Sequence, residues 1–472
     1  MGQEITSSNF SKDDFAEFQR RLVAETLLLE EWFNEGGFDT QGDVGGLELE
    51  ACILNQQGEP APLNQPLLAG LDERFVVPEL ATFNVEINTT PRQLQADALE
   101  RMFEELQGIW RQCNRQAAGL GASMGMVGIL PSLKQSDLTL ENMSPLNRYQ
   151  ALNDQVFKLR KGRPVELHID GRERLDLCHE DVMLESAATS FQIHLKVAAN
   201  QAAKLYNLSK IVSAPMVALS ANSPFLFGRS LWDETRIPLF EQSISVGASD
   251  LTKRVSFGIR YLYQSMMESF RANLQRYPVM LPKLMDEPLE NLPHLRLHNG
   301  TIWRWNRPLI GFDELQHPHL RIEHRVVPAG PSLPDMIANA AFYFGLVTGL
   351  ADKYPQPEQQ MGFIRARSNF YQAARFGLQS QLYWFGWQSV PVDQLIAQQL
   401  LPLARQGLLS LGIDTASVEY WLGIVEARVQ RGINGAGWQK QWVANHGMDM
   451  PGLTLAYLER QESGKPVHEW SA

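Results

Sequence analysis

Four short segments hold the residue types that could do chemistry: GGLELEA around Glu48 and Glu50, FNVEIN around Glu86, SFQIHLK around His194, and LRIEHRV around Glu323 and Arg325. Side chains alternate across a strand, so residues two apart share a face. Glu48 and Glu50 then oppose Leu47, Leu49 and Ala51, while Asn84, Glu86 and Asn88 oppose Val85 and Ile87. In the same way Gln192, His194 and Lys196 oppose Ile193 and Leu195, and Arg321, Glu323 and Arg325 oppose Ile322 and Val326. Each segment has a greasy face for helices and a second face of acids, His or Arg. One such strand alone reads as the solvated face of an antiparallel sheet. Four together read differently, because glutamate recurs and lysine is nearly absent.

If these strands are neighbours, their carboxylates lie about 5 Å apart, and each pair repels by about 3 kcal/mol at an effective dielectric of about 20. Cations, or protonation of some acids, must relieve that. Carboxylates with one imidazole and no thiolate suit Mg²⁺ or Mn²⁺ rather than a closed zinc site. Mg²⁺ keeps waters and binds substrate phosphates beside its carboxylates, so an oxygen-rich funnel lipped by arginines implies a nucleotide.

The elements that must position these faces can be read from periodicity. A capped, acidic start at Ser11, Asp13 and Asp14 and the stop at Gly36-Gly37 predict a helix over residues 11–35. Strands are expected at Val44–Leu54 and residues 83–89, and Pro91 should open a helix reaching residue 118. A short apolar strand at 123–130, a helix at 145–161 and a hairpin over 165–177 turning at Asp170-Gly171 follow. Then come a strand at 189–197, a helix at about 200–212 and a last convincing strand at 320–327, beyond which residues 331–472 read as mainly helical. Strands scattered among helices without a strict βαβ rhythm predict an α+β fold with an antiparallel sheet. No linker or repeat divides the chain, so residues 1–472 are expected to form a single catalytic domain with its sheet core over about 40–330.

Composition narrows the class. The 472 residues are 44% hydrophobic and bear a net charge of −11, with no basic stripe for nucleic acid. The polar, acidic start reads as neither signal nor transit peptide, and the richest apolar stretches, near 212–221 and 342–351, are too short and interrupted to predict a membrane span. Cys52, Cys113 and Cys178 form no CxxC pair, which fits free thiols in a reducing cytoplasm.

Other motifs lead nowhere. Gly121-Ala-Ser123-Met-Gly125 matches GxSxG, but a helix precedes it and a strand follows, the reverse of a nucleophile elbow. No P-loop occurs. His179, His317 and His319 read as loop histidines, and the Trp303/Trp305 pair as packing rather than a base-stacking platform.

In order, GGLELEACIL, NVEINTTP, SFQIHLKV, ALSANSPFLFGR and LRIEHRVVPAG resemble the second glutamate–cysteine ligase family and its relatives, the bacterial carboxylate–amine ligases. The resemblance implies a glutamine-synthetase-like curved antiparallel sheet with helices on its outer face. It implies Glu48, Glu50, Glu86, His194 and Glu323 as metal ligands, with Glu79 as a further acid, and Arg325 as the arginine meeting the transferring phosphate. Arg229 or Arg236, in and after the SP-containing loop, would take a substrate carboxylate. The implied reaction phosphorylates the side-chain carboxylate of glutamate with ATP, and the amine of cysteine then displaces phosphate. A carboxylate–amine ligase with another acceptor would share every metal residue, whereas a non-catalytic binding protein on the same scaffold would have lost some of the acids.

Overall fold

The computed structural model describes residues 4–5, 9–246, 253–386 and 388–472. Helix α1 (Lys12–Glu35) starts on a capping box between Ser11 and Asp14 and ends at Gly36, whose φ of 78° suits a residue without Cβ. It is followed by β1 (Val44–Leu54), β2 (Val76–Pro78), β3 (Asn84–Asn88), α2 (Ala98–Gly119), α3 (Asn147–Leu159), β4 (Phe191–Val197), α4 (Ala202–Ser220), α5 (Pro293–Gly300), β5 (Asn306–Phe312), β6 (Pro318–His324) and α6 (Leu333–Lys353). The strands form one curled antiparallel sheet in the order β5-β6-β4-β1-β3-β2, with Arg92–Gln93 and Ser123–Gly125 pairing to the two ends of β1.

The alternation expected from sequence sets the layers. Leu47, Leu49, Ala51, Ile193, Leu195, Leu320 and Ile322 are all buried on the outer side, where α4 and α6 pack against the sheet. At Gly45 a Cβ would come within 2.8 Å of Phe344, so glycine lets α6 close onto the start of β1. Among the described residues α6 is the one helix long and apolar enough to cross a membrane, and 94% of its apolar window is buried as a core helix.

The sequence reading needs several corrections. Helix α2 begins at Ala98, not after Pro91, because Arg92–Gln93 is drawn into the sheet opposite Val44 and Gly45. The strand expected over 123–130 is only Ser123–Gly125, while α4 runs on to Ser220 with Pro215 inside it. The strand expected to be the last, β6, stops at His324, and β5 before it was unforeseen. In the helical region a small hairpin pairs Gln381–Tyr383 with Ser389–Pro391.

Candidate active site

Register decides which side chains meet. Glu50 lies directly opposite Glu86 across β1 and β3, Glu323 opposite His194 across β6 and β4, and Arg307 opposite Glu323 across β5 and β6. Two groups of ligand atoms result, each within 4.8 Å of one another: Glu48 with His194 and Glu323, and Glu50 with Glu79 and Glu86. Glu79 comes from the turn after β2, which folds back so that its carboxylate reaches the strand acids. The six residues expected as ligands therefore fall into two groups, each with one member on β1.

The two groups differ in charge balance. His194 Nε2 lies 3.0 Å from Glu48 and 3.9 Å from Glu323. Arg307 pairs with Glu323 at 2.6 Å and Arg325 at 3.2 Å. Burial pushes the Glu323 carboxyl up, but these two arginines and His194 outweigh it and hold the pKa at about 2. Burial likewise opposes ionisation of Glu48, and His194 outweighs it to leave the carboxyl well below its ordinary range. In the other group Glu50 accepts from Ser190 N–H at 2.7 Å and Gln192 Nε2 at 2.9 Å, and Glu79 from Leu80 N–H at 2.9 Å. Neither has a lysine or arginine ion-paired to it among the described residues. Burial, then neighbouring acids, pushes Glu79 well above the carboxylate range, and burial also raises Glu50.

This donor set fits hard divalent cations. Glu48 Oε2 and His194 Nδ1 are buried without a hydrogen bond, and carboxylates with one imidazole and no thiolate suit Mg²⁺ or Mn²⁺. Arg325, just past the end of β6, also donates to Gln192 Oε1, so Gln192 ties the arginine to Glu50.

Glu48, Glu79 and Glu323 open onto a cavity of about 500 Å³, whose wall also includes Glu185, Arg148, Arg296, Arg307, Arg321, Trp303 and several leucines. Glu50, Glu86 and His194 sit behind this surface. Trp303 and Trp305 are both buried in the core, as expected, with Trp305 Nε1 donating to Glu241 at 2.8 Å and Trp303 also bordering the cavity. The two substrate-carboxylate candidates do not reach the cavity. Arg229 is exposed and pairs with Glu173 at 3.1 Å. Arg236 is buried, and its donors are spent on Glu234 and on the carbonyls of Arg325 and Val326, so it props the segment bearing Arg325. Sequence reasoning missed Arg307, on the unforeseen strand, and Glu185, in a 3₁₀ turn with no periodicity to betray it.

The curled antiparallel sheet with helices on its outer side is a glutamine-synthetase-like fold. The sequence profile of glutamate–cysteine ligase family 2 matches residues 44–453, so the chain belongs to that family and is an ATP-dependent ligase. The structure is similar to that of a glutamate–cysteine ligase from Francisella tularensis in complex with AMP, with 12% identity, a TM-score of 0.55 and 90% of each chain covered. A bifunctional glutathione synthetase from Pasteurella multocida aligns with 93% of this chain and 55% of its own, at 12% identity and a TM-score of 0.49. No curated protein sequence matches the chain.

Proposed function

We propose that the chain forms γ-glutamylcysteine in the cytoplasm, from glutamate and cysteine, by way of a γ-glutamyl phosphate made with ATP. The observation that carries this reading is the pair of acid groups side by side under one cavity, in a chain of this family. Glu48, His194 and Glu323 would hold one Mg²⁺ or Mn²⁺, and Glu50, Glu79 and Glu86 another. The chemistry these ions would supply there is charge neutralisation at phosphate oxygens and polarisation of the γ-phosphate.

The remaining work falls to this chain's own groups. Arg325 is held by Glu323 and Gln192 so that its guanidinium stays at the group-one acids, where negative charge spreads as the phosphoryl group moves. Arg307 and Arg321 on the same wall favour the anionic tail of the nucleotide. The leucine-rich wall restricts water, which would otherwise hydrolyse an acyl phosphate. No protein nucleophile is needed.

The decisive measurement is phosphate release from ATP and glutamate across a panel of amines with Mg²⁺ or Mn²⁺. Release that depends on both glutamate and cysteine is expected. Release with another amine but not cysteine would move the chain to a different carboxylate–amine ligation, and no amine-dependent release would sink the ligase reading.

A further inference from the structure

Two carboxylates in the cavity wall, Glu185 and Glu287, belong to neither acid group. Glu185 comes from no strand but from a 3₁₀ turn, Met183–Ala187, wedged between α3 and the sheet. The turn is firmly held. Asn84 of β3 donates to Ser186 O at 2.8 Å, Val182 N–H donates to Asn153 of α3 at 3.3 Å, and Met183, Leu184, Ser186 and Ala187 are buried. Glu185 alone of the five turns toward the cavity, and among the described residues its carboxylate has neither a hydrogen bond nor an ion pair. A rigid backbone presenting one uncommitted carboxylate to a substrate space is an expensive arrangement unless the carboxylate meets something there.

Its surroundings narrow what that is. Glu50 from β1, Glu79 from the turn after β2 and Arg325 after β6 lie within electrostatic reach. Arg148 and Tyr149 of α3 share the cavity wall. An ionised carboxylate only accepts hydrogen bonds, so Glu185 suits an ammonium group, which only donates, and not another anion. The proposed ligation needs such a group: the acceptor arrives as R–NH₃⁺ and must become R–NH₂ before it attacks the acyl carbon.

Resting on the ligase reading, we propose that Glu185 binds the incoming ammonium group and takes its proton. The amine lone pair then forms the C–N bond as the C–O bond to phosphate breaks. Acyl phosphate and R–NH₃⁺ give amide, hydrogen phosphate and one released proton, and Glu185 is the first holder of a proton leaving nitrogen.

Hydroxylamine separates the steps, because it is uncharged at neutral pH and attacks acyl phosphates without losing a proton first. Wild type and Glu185→Gln would be compared with ATP, glutamate and Mg²⁺, using either cysteine or hydroxylamine as acceptor. Glu185→Gln should form hydroxamate at close to the wild-type rate, which also shows that it is folded and phosphorylates glutamate. With cysteine it should be slower by about 10²–10⁴-fold, the usual contribution of a positioned acid or base. Equal losses with both acceptors would overturn the proposal in favour of a role in phosphoryl transfer or cation binding, and no loss with either would overturn it outright. A wild type that makes neither product would instead refute the ligase reading beneath it.

Discussion

The two acid groups share strand β1 and differ in what opposes their charge. Glu48 and Glu323 stand against His194, Arg307 and Arg325, and their carboxyls are held in the charged form. Glu50 and Glu79 have backbone and amide donors instead, and burial holds their carboxyls toward the neutral form. The first group is a charge network already complete before any ligand arrives. The second is a vacancy in charge that protons fill until a cation replaces them. One strand can build both because Glu50 stands opposite Glu86 of β3, while His194 of β4, Arg307 of β5 and Arg325 just past β6 bring the positive groups to Glu48 and Glu323.

The strongest test of that difference is to neutralise one acid in each group. Glu323→Gln leaves two buried guanidiniums facing an amide. Breaking a buried pair from one side costs about 3–5 kcal/mol, and losing a ligand at the phosphate costs turnover about 100-fold or more. Glu79→Gln removes a carboxyl that burial already disfavours as an anion. It should leave the metal-free protein at least as stable as wild type, while weakening cation binding about tenfold or more. Denaturant melts with chelator, and cation titrations, would check both. Equal destabilisation by the two substitutions would erase the distinction.

Arg325→Lys probes the complete network more gently. The ammonium keeps the charge but cannot hold Glu323, Gln192 and a phosphate oxygen in one plane, so turnover should fall about tenfold with a smaller change in ATP affinity. Steady-state kinetics at saturating ATP and cation reads this out, and unchanged turnover would take Arg325 out of the mechanism.

The second group, with Glu185 near it, predicts a pH dependence of the opposite kind from most acid-rich sites. Glu79 and Glu185 have folded-state values raised above the ordinary 4.5, the latter to about 8. Between those values these two groups bind more protons in the folded chain than in the unfolded one, so their contribution to stability falls as pH rises. Below pH 6.5 buried His298 and His324 and half-buried His319, with lowered values, act in the opposite direction. The melting temperature of the metal-free protein should therefore drop from about pH 6.5 toward pH 8, and Mg²⁺ or Mn²⁺ should flatten the decline. A metal-free protein whose stability rises through this window would contradict the charge balance described for these acids.

Much of this was legible in the amino-acid sequence because a strand's period of two is unambiguous when acids alternate with Leu, Ile and Val. That put Glu48, Glu50, Glu86, His194 and Glu323 on one face. What was hidden lacked such a period. In β5, Pro308 and Gly311 make Asn306–Phe312 look like a loop, yet β5 is the edge of the sheet, where a missing N–H is tolerated. Arg307 went unseen with it. Glu185 lies in a 3₁₀ turn, where no face can be read from spacing. Arg229 and Arg236 failed for a different reason: residue type alone does not say whether a guanidinium's donors are free, and carbonyls of Arg325 and Val326 occupy those of Arg236.

The smallest effect is expected at Cys52, which alternation places on the same side of β1 as Glu48 and Glu50. It is buried, forms no disulfide and does not border the cavity. Burial, reinforced by the charge of Glu50, pushes its thiol up to about 12, so it is neutral and unreactive at working pH. Cys113 is buried on α2 with its thiol likewise raised to about 12, whereas Cys178 is exposed. In the native protein one thiol of the three should therefore react promptly with a disulfide reagent. Cys52→Ser should leave turnover nearly unchanged and cost about 1 kcal/mol of stability, the price of burying a hydroxyl with imperfect partners. If turnover collapsed while the melting temperature held, the acid face would extend one residue pair further along β1 than the cavity does, and Glu50 would share its surroundings with a thiol that matters.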